Sequence, residues 1–273
     1  MLIILDKKLP EEAKEKLSAS GTLLELETEA IVYPAISGHP DIFICQTPQT
    51  LIISPYLPEK YLQIIKEHQI QFIPGNPIPN PSSLIPNHSS PIPVSTSSTT
   101  GSFPEPVEGS IGQTASSIQH PVSSIQYPAS IRYNAAVSSG YLVHRLEFTN
   151  PSILENCHTR KKISVRQGYT RCNLLLLKGD HYITSDPGIH KSLILAGLDG
   201  IFVSPDGILL PGFANGFIGG TMGILRDSVY ITGSLSHYPE GKGVRVFLER
   251  LNYRIVELYE GPLIDGGSLL FSE

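Results

Sequence analysis

Side chains able to carry acid–base chemistry stand next to apolar segments of this 273-residue chain. His39 and Asp41 lie two residues apart, directly before the apolar pair Ile42 and Phe43. In a strand, side chains two residues apart point to the same face, so the imidazole and the carboxylate would act together in proton transfer. The alternative is a turn at residues 38–41, because Gly-His-Pro-Asp is also a common loop leading into a strand.

A cysteine and an asparagine open another apolar segment. Cys172 is a candidate nucleophile, and Asn173 is a candidate for binding a polar group of a ligand. The alternative for Cys172 is a small buried apolar side chain, which is the commoner state of a free cysteine. With Cys45 and Cys157 the chain has three cysteines without paired spacing. That pattern argues against a disulfide framework and fits a reducing compartment, so we expect a cytoplasmic protein.

Two aspartates stand at the edges of other apolar segments. Asp265 precedes Gly266 and Gly267, and glycines let a ligand approach the backbone closely. Asp265 and Gly266 are therefore predicted to bind a cationic ligand, with a turn as the alternative. Asp186 precedes Pro187; it is a further candidate for ligand binding, and a helix N-cap is the alternative.

Cofactor and metal motifs are missing from the sequence. The glycine-dense residues 216–223 lack the Lys-Ser/Thr pair of a phosphate loop and the helix that a dinucleotide loop needs. No group of cysteines and histidines has the spacing of a zinc site. We therefore predict no cofactor and no metal.

Net charge and hydropathy limit the classes of partner that the chain is expected to bind. The formal net charge is −5 and the basic residues are scattered, so nucleic acid is not expected as a partner. The apolar run at residues 2–5 is too short for a signal peptide or a membrane span. A small polar or cationic molecule remains as the expected partner, with no membrane association, and the sequence names no protein partner.

Residues 75–130 differ from the rest of the chain. Pro, Ser and Thr dominate them, and their only charged side chains are Glu105 and Glu108. Such a segment buries too little apolar surface to offset the entropy of ordering it. We predict one domain, residues 1–273, that carries residues 75–130 as a disordered insertion.

The remaining chain repeats one unit: two strands joined by a turn, then a helix, then a third strand. Residues 168–186 and 216–234 share a glycine, an aromatic residue, a basic residue and Tyr-Ile-Thr in step, and residues 38–54 and 133–144 are looser copies. Each copy precedes a proline (Pro55, Pro151, Pro187 or Pro239) and a predicted helix (58–68, 151–158, 188–197 or 241–250).

The chain ends supply a fifth unit. Residues 266–271 are typical of the opening strand, and residues 2–5, 10–17 and 22–26 are typical of the strand, helix and strand that follow. A unit divided between the two termini closes a ring, because both end strands then have partners and no sheet edge is left open.

Five such units resemble the pentein fold, the five-bladed α/β propeller of the guanidino-group-modifying enzymes. That family includes arginine and agmatine deiminases, dimethylarginine hydrolases and amidinotransferases. Residues 39–43, 167–173, 186–191 and 265–268 are similar to an uncharacterised bacterial branch of the fold. The resemblance implies a cysteine thiolate that attacks the guanidinium carbon, a histidine that handles protons and carboxylates that hold the cation.

One position departs from that family pattern. The family nucleophile ends a glycine-rich strand near the C-terminus, and Phe271 holds that place here. Two hypotheses follow. The chain is a hydrolase or transferase that acts on a guanidino- or amide-bearing small molecule through His39, Asp41 and Cys172, or it is a catalytically silent member that binds a small ligand or a protein.

Overall fold

The computed structural model describes residues 1–77 and 125–272, and its strands form five three-stranded sheets and one two-stranded sheet in that part of the chain. The three-stranded sheets, each in spatial order, are β17 (Leu270–Ser272), β1 (Leu2–Asp6) and β2 (Thr22–Leu26); β3 (Ile44–Gln46), β4 (Leu51–Ile53) and β5 (Phe72–Pro74); β6 (Ala136–Val137), β7 (Tyr141–His144) and β8 (Lys161–Ser164); β9 (Leu174–Leu177), β10 (His181–Thr184) and β11 (Asp199–Phe202); and β13 (Met222–Leu225), β14 (Ser228–Ile231) and β15 (Arg254–Glu257). The small sheet pairs β12 (Ile208–Leu209) with β16 (Leu263–Ile264).

All five larger sheets have one topology. The middle strand pairs antiparallel with one neighbour and parallel with the other. A parallel pair needs a crossover, and a helix supplies it in every sheet. These crossover helices are α1 (Glu11–Ser18), α3 (Glu59–Glu67), α4 (Pro151–Asn156), α6 (Pro187–Leu195) and α7 (Gly241–Arg250).

The predicted repeat is therefore confirmed as a chain of strand–strand–helix–strand units within a mixed α/β fold. The predicted helices agree with the observed ones to within two residues at each end, and α7 agrees fully. Pro151 and Pro187 each occupy the first helical turn as predicted. Pro55 and Pro239 lie before the helices that follow them, which begin at Glu59 and Gly241.

Apolar side chains shared by neighbouring sheets hold the units together. One buried cluster joins Leu175 and Ile183 of β9 and β10 to Met222 and Val229 of β13 and β14. Equivalent clusters join the sheet of β7 to those of β4 and β9, and the sheet of β1 to that of β14. A fully buried Leu or Ile contributes roughly 2 kcal/mol relative to an exposed one, so these shared cores stabilise each unit through its neighbours.

The chain ends meet in one sheet. Leu2, Ile3 and Ile4 of β1 lie opposite Ser272, Phe271 and Leu270 of β17. The unit divided between the termini is thus present.

The predicted insertion lies largely outside the described residues, namely residues 78–124. The described flanks are hydrogen-bonded to other described residues: the Ile125 amide donates to the Ile31 carbonyl, and the Tyr133 hydroxyl donates to the Asn76 carbonyl. The single domain and the 75–130 bounds remain predictions. Within the described residues no helix is long and apolar enough to cross a membrane.

Candidate functional site

The segments that lead into the first strand of each sheet lie against one another. Helix α2 (Pro40–Phe43) enters β3, helix α5 (Thr170–Asn173) enters β9, and a 3-10 turn (Ile218–Thr221) enters β13. Backbone hydrogen bonds connect these segments directly. The Asp41 amide donates to the Gly267 carbonyl, the Arg171 amide to the Asn134 carbonyl, and the Ser268 amide to the Gly220 carbonyl.

A carboxylate oxygen is the centre of the cluster these segments form. Asp41 Oδ2 accepts from Cys172 Sγ at 3.0 Å and from Ser268 Oγ at 2.9 Å. Asn134 completes the group, since its Nδ2 donates to Cys172 Sγ at 3.2 Å and to the Asp41 carbonyl at 3.3 Å. Four sheets therefore contribute one polar side chain each, and the thiol has a carboxylate within direct proton-transfer distance.

An imidazole and a second carboxylate adjoin the thiol. One donor atom each from His39, Cys172 and Asp265 lies within 4.8 Å of the other two. The Asp265 carboxylate is held by two backbone amides, those of Gly267 at 3.0 Å and Phe217 at 2.9 Å. All three of the predicted catalytic residues, His39, Asp41 and Cys172, thus converge with Asp265.

The predicted geometry of His39 and Asp41 was wrong even though both residues reach the cluster. They are not on a strand: His39 is the N-cap residue of α2 and Asp41 lies in its first turn. Pro40 causes this difference, because a proline lacks an amide hydrogen and suits the first position of a helix better than a sheet ladder. The imidazole and carboxylate therefore contact different partners, with His39 Nε2 lying 3.8 Å from Asp6 Oδ2.

Glycines make the space that these polar groups occupy. A Cβ atom on Gly220 would lie 1.8 Å from Asp265 Oδ1, and one on Gly267 would lie 2.2 Å from His39 Cβ. Within the glycine-dense residues 216–223, Gly216 and Gly220 thus allow close packing around Asp265.

The cluster is closed to solvent. His39, Asp41, Cys172 and Asp265 are between 0% and 3% exposed. Burial raises the pKa of Asp41 to about 6, although the Cys172 hydrogen bond and the Arg171 charge oppose the shift. Burial and the Asp41 charge raise the pKa of Asp265 to about 7. Two carboxylates that are both desolvated in this way favour a cation beside them.

Burial also sets the state of the other two groups. It raises the pKa of the Cys172 thiol well above its usual value, and the charges of Asp41 and Asp265 add to the effect. Burial, followed by the Lys8 charge, lowers the pKa of His39 to about 3. At neutral pH the thiol is therefore protonated and the imidazole neutral, so Cys172 must lose its proton before it can act as a nucleophile.

Tyr33 is a half-buried tyrosine whose ring contacts an exposed aromatic residue, Phe213. Tyr33 stands before a 3-10 turn (Pro34–Ile36), and its ring packs on the exposed Phe213 with centroids 5.7 Å apart. Burial raises the pKa of Tyr33, and Tyr169, Cys172 and Asp265 raise it further.

The remaining predicted site residues have structural contacts. Asn173 Nδ2 donates to the Tyr169 carbonyl, and its Oδ1 accepts from Ser185. Asp186 is the N-cap of α6, with Oδ1 accepting from the Ile189 amide at 2.7 Å, so the N-cap alternative is confirmed. The Gly266 amide donates to the Gly220 carbonyl. Ligand binding by Asn173, Asp186 and Gly266 stays a prediction.

Sequence reasoning missed Asn134, Arg171 and Ser268. Arg171 donates to the Gly219 carbonyl at 2.9 Å and to the Met222 carbonyl at 3.2 Å, and its charge acts on Asp41. The signal that could have found all three is their place in the repeat, because each lies within three residues of the first strand of its unit.

Ser268 has a backbone conformation that favours glycine, with φ at 75°. Changing Ser268 to alanine keeps this strain and removes the hydrogen bond to Asp41, so we expect a loss of about 2 kcal/mol in the free energy of unfolding. The Ser268→Gly variant loses the same hydrogen bond but relieves the strain. It should be about 1 kcal/mol more stable than the alanine variant in urea denaturation. Equal stability of the two variants would contradict a strained Ser268.

Comparisons with other proteins identify similar chains. The family model described as "Family of unknown function (DUF6873)" matches residues 4–82 and 112–270. No curated protein matches the chain.

Three solved structures are similar in fold. A mutant DDAH from Pseudomonas aeruginosa, complexed with citrulline, is 12% identical, with a TM-score of 0.47 over 94% of this chain and 91% of that one. A dimethylarginine dimethylaminohydrolase adduct with 4-chloro-2-hydroxymethylpyridine is 11% identical, with a TM-score of 0.46 over the same shares. An amidinotransferase from Microseira wollei is 8% identical, with a TM-score of 0.47 over 94% and 87%. These are the kinds of enzyme that the sequence resemblance named.

Proposed function

The chain belongs to the DUF6873 family of unknown function, and we propose that it is a thiol-dependent hydrolase or transferase that acts on a guanidino- or amide-bearing small molecule, preferably a cation. The observation that carries the proposal is the convergence of the thiol with acid–base groups. Cys172 donates to Asp41 at 3.0 Å, and His39 and Asp265 have donor atoms within 4.8 Å of the sulfur. A nucleophile, a base in contact with it and a second carboxylate for the substrate charge are the parts such a reaction needs.

The chemistry follows from the contacts around the sulfur. Cys172 transfers its proton to Asp41, and the thiolate forms a bond to the central carbon of the substrate group. The carbon–nitrogen bond of the leaving amine then breaks, and the amine takes the proton from Asp41. Water or an acceptor amine then attacks the carbon of the S-linked intermediate and gives a proton to His39. The carbon–sulfur bond breaks, and the Cys172 thiolate takes this proton from His39. Asp265 faces the positive charge of the substrate throughout.

A five-bladed arrangement is part of the same proposal. We propose that the five three-stranded sheets are blades of a closed propeller with the Cys172 cluster on its axis. The common topology of the sheets and the pairing of β1 with β17 support this arrangement. An experimental structure in which the five sheets did not surround Asp41 and Asp265 would contradict it.

The silent alternative has its own supporting observations. Phe271, at the family nucleophile position, is 5% exposed and packs on Tyr230 with ring centroids 4.9 Å apart, so it offers no reactive group. Cys172 is buried and its thiol is protonated at rest. On this alternative the carboxylates Asp41 and Asp265 bind a cation without modifying it.

Two alkylating reagents of nearly equal shape but different charge distinguish the thiol-dependent enzyme from the silent cation binder. Chloroacetamidine is a cation and chloroacetamide is neutral, and both alkylate a thiol that loses its proton. If the cluster recruits cations to a reactive Cys172, the cation should label Cys172 at least about tenfold faster, which corresponds to about 1.4 kcal/mol. Mass spectrometry of peptides from protein treated with EDTA gives the rate at each cysteine, with the buried Cys45 and Cys157 as internal controls.

The Asp265→Asn variant is the matched test of charge recognition. It should reduce the preference for the cationic reagent while leaving labelling by chloroacetamide within about twofold. Release of ammonia or amine from arginine, agmatine and methylated arginines, absent in Cys172→Ala, would then identify the reaction. Binding of these cations without labelling of Cys172 would overturn the enzyme and favour the silent binder.

A further inference from the structure

A buried set of nitrogen, sulfur and oxygen donors lies where no metal motif is visible in the sequence. His39, Cys172 and Asp265 come from three different sheets' leading segments, and their donor atoms lie within 4.8 Å of one another. Imidazole, thiolate and carboxylate are the three ligand types of zinc in proteins. Donor atoms around a tetrahedral zinc ion lie about 3 to 4 Å apart, so shifts of about 1 Å would bring the three onto one ion.

Unpartnered polar atoms in the same place point to a missing ligand. Within the described residues, His39 Nδ1 and Asp41 Oδ1 are buried and have no hydrogen-bond partner. A buried polar atom left unpaired costs about 1–3 kcal/mol of stability. Two such atoms in one buried cluster therefore indicate that a ligand binds there. His39 Nε2 faces Asp6, which leaves Nδ1 as the ring nitrogen available to an ion.

The surroundings also hold the donors in place. Asp6 faces His39 across 3.8 Å, which is the kind of carboxylate that orients a metal-binding imidazole from behind. Two backbone amides fix the Asp265 carboxylate, and each of its oxygens keeps a free lone pair for a metal. Asp41 lies in contact with Cys172 but outside the three donors that lie within 4.8 Å of one another. Its Oδ1 is free of partners among the described residues, so a shift of the side chain toward the ion would make it the fourth ligand.

We infer that His39, Cys172 and Asp265, with Asp41 as the fourth ligand, form a binding site for one zinc ion. The ion bonds to the Cys172 sulfur and displaces its proton to solvent, and its charge stabilises the buried carboxylates in their ionised form. Because the ion occupies the sulfur lone pair needed for attack, zinc reversibly blocks Cys172 as a nucleophile. The inference concerns binding of the ion and does not depend on the proposed reaction.

Cobalt titration of the full chain tests this site directly. Co²⁺ added to protein freed of metal by EDTA should bind in a 1:1 ratio and give both the strong near-ultraviolet band of a cobalt–thiolate bond and the visible absorption of a tetrahedral ion. Zinc should displace both. The Cys172→Ser variant should lose the thiolate band, and the His39→Gln variant should bind cobalt at least about tenfold more weakly. The control variant Cys157→Ala removes a buried cysteine outside the cluster and should leave the spectrum unchanged.

X-ray absorption of the zinc-loaded wild-type chain supplies a measurement that needs no variant. It should show one sulfur neighbour at about 2.3 Å and nitrogen or oxygen neighbours at about 2.0–2.2 Å. Binding of less than one ion per chain, a shell without sulfur, or a thiolate band retained in Cys172→Ser would each overturn the site. Alkylation of Cys172 is measured in EDTA, so failure of the zinc site and failure of the proposed enzyme are seen separately.

Discussion

Changing Gly267 to alanine is expected to lower the free energy of unfolding by about 4 kcal/mol. The Gly267 φ angle is 68°, in the left-handed region that L-residues rarely adopt. The added Cβ would also lie 2.2 Å from His39 Cβ and 2.6 Å from His39 Cα. The second contact is with the backbone, so no rotamer change relieves it, and α2 must move away from Asp265.

Gly197 provides the matched control for this prediction. Its φ angle is 91°, but an added Cβ would have no described atom within 4 Å. Gly197→Ala therefore carries the backbone strain without the collision, and a loss of about 1 kcal/mol is expected. Urea denaturation of both variants separates the two contributions. If the two variants were equally stable, the contact between Gly267 and His39 would not be tight, and the cluster would have room that the structure does not show.

Local pattern in the sequence was sufficient for most of the fold. Helix α3 was predictable because its apolar side chains fall on one face, where Tyr61 and Ile65 are buried. Helix α6 was predictable because Asp186 and Pro187 are a strong start signal. The repeat supplied the sheet topology, since one unit that is recognised twice predicts the pairing in every other copy.

The sequence predicted several of the residues that form the candidate site but not how they are arranged in space. His39 and Asp41 were chosen for a same-face strand arrangement, whereas Pro40 turns the chain into a short helix and sends the two side chains to different partners. The contact of Asp41 with Cys172 joins residues far apart in sequence, and no local spacing encodes it. For the same reason the absence of zinc-ligand spacing said nothing about His39, Cys172 and Asp265, which the sheets bring together from three segments.

Ser268 and Gly220 show how one repeat position was adapted to different tasks. Both precede a first strand, but Gly220 leaves room for the Asp265 carboxylate, whereas Ser268 supplies a hydroxyl to Asp41 at the cost of a positive φ angle. A strained non-glycine residue persists where its side chain makes a contact that glycine cannot. The hydrogen bonds around Asp41 therefore depend on departures from the repeat, which is why copying one unit onto another did not reveal them.

His144 is expected to lower the free energy of unfolding by about 3 kcal/mol as the pH decreases below about 6.5, while protonation of the buried Asp41 and Asp265, whose pKa values are raised, acts in the opposite direction. His144 ends β7 and is fully buried, with Nε2 donating to the Gly168 carbonyl at 3.0 Å and Nδ1 accepting from Thr149 Oγ1 at 2.7 Å. Burial lowers the pKa of His144 from 6.5 to about 4. Between these two values the unfolded chain binds one more proton than the folded chain, so acid favours unfolding; the contribution is complete above pH 6.5 and lost as the pH falls through about 4.

The slope of stability against pH isolates this histidine from other acid-sensitive groups. Urea denaturation between about pH 7.5 and about pH 4.5 measures the free energy of unfolding of both proteins. Below about pH 6.5 each unit of acidification should leave the His144→Gln variant about 1.4 kcal/mol more stable relative to the wild type than before. Glutamine retains a donor and an acceptor but has no proton to gain in this range. His68, an exposed histidine after α3, changed to glutamine is the control and should keep the wild-type slope. An unchanged slope in His144→Gln would mean that His144 can take up its proton in the folded chain, and the hydrogen bond from β7 to Gly168, just before α5, would then survive acid.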